Sequence, residues 1–161
     1  MKTIATLILL TILTSCSKNN DDEPQQQANV IDVNVELSLK STNGEDLLDP
    51  NNPNGYKAED IKLYYLINGE KQEVFDANMD YPRNFFIFKH ESEYRIRIFQ
   101  NLAETEALPI TYVEWNNQDT DTLQAEYHRA DRLIQVIKTW FNGELKWDVV
   151  SNKENFFTII K

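Results

Sequence analysis

The chain is poor in the residues that build cofactor sites and covalent cross-links. Its 161 residues include one cysteine, four glycines and two histidines. A lone cysteine excludes an intramolecular disulfide. Because no two glycines lie close together, no Walker loop or G-x-G-x-x-G turn can bring backbone amides to a phosphate. We therefore expect no nucleotide and no other cofactor.

Positive charge is also scarce. Lysine and arginine number 16 against 26 aspartates and glutamates, which gives a formal net charge of -10. This balance removes the electrostatic attraction that dominates nucleic-acid binding, so nucleic acid is not an expected partner. A hydrophobic content of 41% with 11% aromatic residues is typical of a globular chain, and the length suits one domain.

Catalytic motifs are missing as well. No serine stands in a G-x-S-x-G setting, and His90 and His128 have no recognisable motif around them, so each is expected to be a solvated histidine. A zinc site would need further ligands from distant strands. We expect a protein that is not an enzyme, with no catalytic residues; the many acids leave a carboxylate-dependent glycan hydrolase open as an alternative.

Long apolar runs are absent except at the start of the chain. Lys2 precedes the run Ile4 to Leu13, which has the form of an export signal and is shorter than the roughly 20 residues of a membrane-spanning helix. The following Leu13-Thr14-Ser15-Cys16 closely resembles the bacterial lipobox. The resemblance implies removal of residues 1–15 and acylation of Cys16, whose several acyl chains would hold the protein at a membrane. The alternative is a buried or free thiol in an unprocessed helix.

Residues 16–29 are predicted to be a flexible, acidic tether. Ser17 to Asn29 contains no aromatic residue and no aliphatic one larger than alanine, so it cannot bury enough surface to become ordered. Within it, Asp21-Asp22-Glu23 is either a solvated charge run or a sequence that resembles the surface-export signal of lipoproteins from Bacteroidota-type bacteria. Because Ser17 is not the aspartate that retains many lipoproteins in the inner membrane, the resemblance favours the outer membrane.

Residues 30–161 are predicted to form a single all-β domain. Val30 to Lys40 alternates apolar and polar side chains, as in a strand with one face in the core and one in water. Short strands with turn signals between them indicate an antiparallel β-sandwich, immunoglobulin-like or transthyretin-like, with a partly open barrel as the alternative. The further predicted strands are Ile61 to Ile67, Lys71 to Asp76, Phe85 to Lys89, Tyr94 to Phe99, Ile110 to Trp115, Leu123 to His128, Leu133 to Phe141, Leu145 to Val150 and Phe156 to Ile160.

Every glycine follows an asparagine, and Asn-Gly suits the tight turns of hairpins. In FNGE, Phe141 should pair with Glu144, and in INGE, Ile67 should pair with Glu70. The first register places Ile134, Val136, Trp140, Leu145, Trp147 and Val149 on one face, and the second places Ile61, Leu63, Tyr65, Ile67 and Val74 on one face. We therefore expect Trp140 and Trp147 to pack in the core, and the place of Trp115 stays open.

Two polar loops offer oxygen atoms. The loop Gly44 to Gly55 contains five candidate ligands for calcium, and Asn116 to Asp121 is a weaker candidate. Neither has the spacing of an EF-hand, and Asn and Pro are common in any turn, so no metal ligand is assigned. The loop ligands considered are Asp46, Asp49, Asn51, Asn52 and Asn54. Arg95 and Arg97 alternate with apolar residues and should lie on a wet face, where anion binding is possible.

The whole chain resembles the small outer-membrane lipoproteins of Bacteroidota-type bacteria, with a lipobox, an acidic tether and one all-β domain that contains DLLDP after its first strand and FFTIIK at its end. The resemblance implies a location more than a mechanism. We expect a non-enzymatic binding module for a partner protein or a glycan, anchored through Cys16 and facing either the cell surface or the periplasm. A structural envelope component is a further alternative.

Overall fold

A computed structural model describes residues 29–151 and 153–161, which form two β-sheets around one core. The described residues contain eleven strands and one turn of 3-10 helix, Val149–Ser151. The strands are β1 Val30–Asp32, β2 Asn34–Lys40, β3 Lys62–Ile67, β4 Glu70–Glu73, β5 Phe85–His90, β6 Glu93–Phe99, β7 Ile110–Asn116, β8 Asp119–Ala130, β9 Leu133–Phe141, β10 Glu144–Asp148 and β11 Phe156–Ile160.

The sheets are separate layers and do not close into a barrel, so the predicted β-sandwich is confirmed. The larger sheet has the order β1-β9-β8-β7-β3-β4, and β10 also pairs with β9; the smaller has the order β11-β2-β6-β5. Most neighbours are antiparallel, as predicted. Two pairs are parallel, β1 with β9 and β11 with β2. Both sheets are therefore mixed.

The first predicted strand is divided between the two sheets. β1 pairs with β9 of the larger sheet, whereas β2 pairs with β6 and β11 of the smaller one. Val33, between β1 and β2, is buried where the chain crosses from one layer to the other. Alternation alone could not reveal this crossing, because the apolar side chains keep the same period on both sides of it.

The core lies between the sheets and is built from alternate strand residues. On β2 the odd positions Val35, Leu37 and Leu39 are fully buried, while Asn34 and Glu36 face the other side. The remaining fully buried apolar side chains include Ile61, Leu63, Ile96, Ile98, Val113, Trp115 and Leu123. The strict period of two in β2 is what places Glu36 on the outer face of the smaller sheet.

Both predicted hairpin registers are confirmed. Ile67 pairs with Glu70 and Phe141 with Glu144, and the Asn-Gly pairs between them have positive φ at both residues. This is the conformation of the tightest hairpin turns, which glycine and asparagine adopt most readily.

The core position predicted for Trp140 is wrong. On β9 an extra residue, Ile137, interrupts the pairing with β8, so that Thr139 and Phe141 face the core beyond it. Trp140 lies between them and therefore points to the opposite side. The prediction carried one alternation through the whole strand and missed this change of phase.

A second irregularity moves Trp147. The pairing of β10 with β9 shifts between Leu145 and Trp147, so Trp147 lies opposite Thr139. Leu145 and Val149, predicted to share one face with Trp147, are 47% and 41% exposed. Trp147 is only partly buried, and it lines an open groove instead of the core.

Candidate functional site

A row of aromatic side chains lies on the outer face of the smaller sheet. Along β5, Phe85 and Ile87 point toward the core, so Phe86, Phe88 and His90 point outward. The row, with Tyr81 before β5 and Phe99 at the end of β6, is here called the aromatic face. Its rings are partly accessible to solvent, and Tyr81 is 43% exposed.

The rings of the aromatic face are in continuous contact. Tyr81 stacks on Phe86 with ring centroids 4.3 Å apart, and the Phe86 ring lies 5.6 Å from that of Phe88. The edge-on contact of Phe88 with His90 spans 6.4 Å. Phe99 lies 6.3 Å from Phe86 and 6.4 Å from Tyr81. These contacts give an extended apolar strip on a surface that otherwise faces water.

A charged pair lies against the strip. The Arg97 guanidinium lies 5.5 Å from the Phe86 ring centre and 5.6 Å from that of Phe88. Its Nε donates to Oε1 of Glu36 at 3.0 Å, and its Nη2 donates to the same oxygen. Among the described residues, Nη1 of Arg97 has no hydrogen-bond partner. Arg97 can therefore donate to a ligand while Glu36 holds its position.

A row of side chains of alternating charge continues from the pair of Arg97 and Glu36. Arg95 donates to Glu36 at 3.2 Å and to Glu93 at 2.9 Å, and Lys40 joins Glu93 to Asp46 at 3.4 and 3.1 Å. Burial opposes the charge on Arg95, but the hydrogen bonds to Glu93 and Glu36 raise its pKa above the ordinary value. Arg95 is also covered by the Phe156 ring, 3.7 Å from its guanidinium carbon.

A groove with a volume of about 590 Å³ lies at one end of the aromatic face. Phe88, His90, Arg97 and Trp147 are among the residues that line it. The Trp147 Nε1 donates to the backbone oxygen of Lys153 at 2.9 Å, which ties Trp147 to the segment before β11. The groove combines aromatic surface with donors and acceptors of both charges.

A smaller hollow of about 370 Å³ lies at the other end. Tyr81 and Phe99 belong to both the hollow and the aromatic face, and Met79, 54% exposed, completes its apolar lining. Asp80 and Asn84 add polar atoms. The aromatic face thus runs from this hollow to the groove.

A second cluster of polar groups is built around Trp115, whose position the sequence left open. Trp115 is fully buried, and its Nε1 donates to Oδ2 of Asp121 at 2.7 Å. Lys161 Nζ donates to Asp121 and, at 2.7 Å, to Asp119, which also accepts a hydrogen bond from the Tyr56 hydroxyl. This network joins β7, β8 and the end of the chain.

The ionisation of this cluster is set by its hydrogen bonds. Burial opposes the charge on Asp121, but donors from Asn142, Lys161 and Trp115 lower its pKa below the ordinary value. Burial and the hydrogen bond to Asp119 raise the pKa of Tyr56 far above the ordinary value, so the phenol stays a donor. The polar loop Asn116 to Asp121 is thus part of a packed structural network.

The loop Gly44 to Gly55 uses its oxygens to hold its own turns. Asp46 accepts from the backbone amides of Leu48 and Tyr94, at 3.0 and 2.8 Å, as well as from Lys40. Burial again opposes the charge, yet these donors lower the pKa of Asp46. Asp49 accepts from Asn51 at 2.8 Å. The geometry therefore does not favour the calcium alternative for this loop.

The other side chains considered from the sequence agree only in part with their expected surroundings. Arg95 and Arg97 lie on the outer face as expected, but Arg95 is only 8% exposed and is hydrogen-bonded to Glu36 and Glu93. His128 is exposed on β8, whereas His90 lines the groove. The predicted signal peptide, Cys16 and the acids at 21–23 lie outside the described residues.

The aromatic face was not predicted from the sequence. Its signal was present in the β5 segment FFIFKH: Phe86, Phe88 and His90 are aromatic, and Phe85 and Ile87 between and before them are apolar as well. A strand with one wet face should have polar residues at alternate positions. Large aromatic residues there indicate either a second packing layer or a binding surface.

Within residues 29–151 and 153–161, no group of three or more histidine, cysteine or acidic side chains is placed to hold a metal ion, and no helix is long and apolar enough to cross a membrane. Comparison of the chain with protein-family models, with curated proteins and with solved structures finds no match.

Proposed function

We propose that the protein is a lipid-anchored envelope protein whose β-sandwich binds a glycan on the aromatic face. The observation that carries the proposal is the open row of rings from Tyr81 to His90, with a hollow at one end and a groove at the other. Aromatic rings offer flat apolar surface at little cost in conformational entropy. The C–H face of a sugar ring stacks on such a surface.

Polar groups beside the rings suit the hydroxyl groups of a sugar. Arg97 and Glu36 form a donor and acceptor pair against Phe86 and Phe88, and Asn84 lies beside Phe99 in the hollow. A planar guanidinium and a carboxylate fix the orientation of neighbouring hydroxyls through charge-assisted hydrogen bonds. An apolar strip with a donor and acceptor pair at its side suits a sugar, which presents both a C–H face and hydroxyl groups.

The protein is proposed to bind its glycan without changing it. Glu36 and Asp121 are the most enclosed carboxylates near the candidate sites, and each has both oxygens occupied by donors of the protein. A nucleophile or general base in glycoside hydrolysis needs an oxygen free to reach the substrate. The hydrolase alternative remains a prediction, because Asp32 and Glu154 also line the groove. The structural alternative remains a prediction as well.

In this proposal, the lipid anchor holds the domain and its glycan site at the outer membrane. Acylated Cys16 would hold the chain at the bilayer, and the tether that follows spans on average roughly 20 Å if it is flexible. The domain could then reach a glycan near the cell surface. Protease treatment of intact cells tests whether the domain faces outward, because digestion requires exposure at the surface.

An array of bacterial, plant and animal glycans, probed with the full chain in detergent, tests the function. Phe88→Ala should reduce every glycan signal, while Phe75→Ala should leave the signals unchanged, because Phe75 is 62% exposed and makes no ring contact among the described residues. A parallel pull-down from solubilised envelopes tests the partner-protein alternative. Capture of one envelope protein, with no glycan bound on the array, would contradict the proposal.

A further inference from the structure

Two edge strands among the described residues, β4 and β5, differ in how charged side chains protect them. β4, at the edge of the larger sheet, has the sequence EKQE and every residue is exposed. Charged side chains on an edge discourage other strands from pairing with it. β5, at the edge of the smaller sheet, has the sequence FFIFKH, with a single lysine, Lys89. β5 therefore lacks the protection that β4 has.

The hairpin register shows which backbone groups of β5 face the free edge. His90 pairs with Glu93 across a two-residue turn, and the Phe99 amide donates to the Asn84 oxygen at 3.0 Å. In an antiparallel ladder, hydrogen-bonded and non-hydrogen-bonded pairs alternate. The even positions of β5 therefore bond to β6, and the amides and carbonyls of Phe85, Ile87 and Lys89 point to the open side.

We propose that β5 pairs edge to edge with β5 of a second copy of this chain, antiparallel and centred on Ile87. In this register Ile87 lies opposite Ile87 of the other copy, and Phe85 lies opposite Lys89. In no other antiparallel register do Phe85, Ile87 and Lys89 all lie opposite an outward-facing residue of the second copy. The arrangement has twofold symmetry, the commonest form of association between identical chains.

The side chains also match in this register. Phe86 of one copy lies opposite Phe88 of the other on the outer face, and cross-strand aromatic pairs stabilise a sheet. The two Lys89 side chains are about 14 Å apart along the strands, so their charges do not meet.

The pairing joins two four-stranded sheets into one continuous sheet. The two aromatic faces then lie on the same side of that sheet and meet at its centre. Chains anchored as proposed above would share one membrane, which would raise their effective concentration and favour such a contact. This inference does not depend on the glycan proposal, since the pairing uses the backbone edge and not the ligand grooves.

Sedimentation of the full chain in detergent tests the pairing, with Lys89→Pro as the variant. Proline at this position removes one outward amide without removing a bond to β6, because the Lys89 amide faces the free edge. We expect a concentration-dependent dimer whose association constant falls at least about tenfold in Lys89→Pro. Lys71→Pro is the matched control, because the register of β4 also points that amide away from its partner strand.

Circular dichroism and thermal melting of both variants separate loss of pairing from loss of folding. A wild-type chain that stays monomeric at all concentrations would overturn the inference, and so would an equal loss of dimer in a folded Lys71→Pro variant.

A spin label on Lys89→Cys tests the register without relying on a loss of association between the two copies. The label is placed in the Cys16→Ser background of the full chain, so that the introduced thiol is the only one. The proposed register predicts a separation of about 14 Å between the two labelled backbones, plus the reach of the labels. Coupling between labels at that range supports the pairing. Label separations far beyond it, in a sample that sediments as a dimer, would place the interface elsewhere.

Discussion

The carboxylate of Glu36 joins two guanidinium groups on the outer face of the smaller sheet, with Arg95 at 3.2 Å and Arg97 at 3.0 Å. Arg95 is almost completely buried, so its charge depends on the carboxylates around it. Removing one partner of an enclosed ion pair leaves an uncompensated charge, which costs more than the pair contributes when it is intact. Glu36 therefore orients Arg97 for a ligand and also stabilises the fold.

Glu36→Gln should lower the free energy of unfolding by about 1–3 kcal/mol, because Arg95 and Arg97 lose a shared anionic acceptor. Urea denaturation measures the change. Glu154→Gln is the matched control: this side chain is 81% exposed and lies 3.8 Å from Arg95, so its loss should have little effect. Equal destabilisation by both variants would contradict the role given to Glu36.

Trp115→Phe should destabilise the domain by about 1–3 kcal/mol, because the buried Asp121 loses one of its donors and the core loses volume. Trp140→Phe provides the comparison on the outer face and should cost less. Denaturation followed by circular dichroism suits both variants, since each removes an indole that contributes to fluorescence. A larger loss from Trp140→Phe would mean that the assignment of faces on β9 is wrong.

Acid should weaken the domain through Asp121 and Asp46. Both carboxyls have a folded-state pKa below the ordinary value of 3.8, so the unfolded chain binds their protons more readily. Their contribution to stability is complete above that value and is lost as the pH falls through the lower folded-state pKa.

Urea denaturation from about pH 6 to about pH 3 should therefore show a decline in the free energy of unfolding below about pH 4. The decline should be shallower in Asp121→Asn, which no longer has the titrating group. An unchanged slope in that variant would show that other carboxyls dominate the acid response.

Cys16→Ser should abolish incorporation of a fatty-acid probe in cells and release the protein from the membrane fraction, because the thiol is the proposed site of acylation. Ser17→Ala, one residue beyond the cysteine, should keep the label. Gel fluorescence after metabolic labelling measures both. Persistent labelling of Cys16→Ser would refute the lipobox interpretation.

The sequence predicted the sandwich and its hairpins because these follow from local rules. Alternation in β2 and the Asn-Gly pairs act within a few residues, and both were confirmed. The errors at Trp140 and Trp147 arose where an added residue changes the phase of a strand. Such bulges depend on the pairing partner and leave no signal in the alternation itself.

The aromatic face was not predicted, for a different reason. Phe86 and Phe88 alternate with core residues, and only the three-dimensional arrangement shows that no further layer of the described chain covers them. The partners of Glu36 on β6, 59 and 61 residues away in the chain, were likewise set by sheet topology. Local patterns could predict which residues share a face but not which strands are neighbours.

The most direct test of glycan binding is affinity electrophoresis of the full chain in native gels that contain a soluble β-glucan, xylan, mannan or galactan. At least one polysaccharide should retard the wild-type chain, and Phe88→Ala should weaken that binding about tenfold because one stacking ring is lost. Phe75→Ala should migrate as the wild type does. Equal retardation of the wild type and a folded Phe88→Ala variant, or no retardation in any gel, would contradict the assignment of the aromatic face as the glycan site.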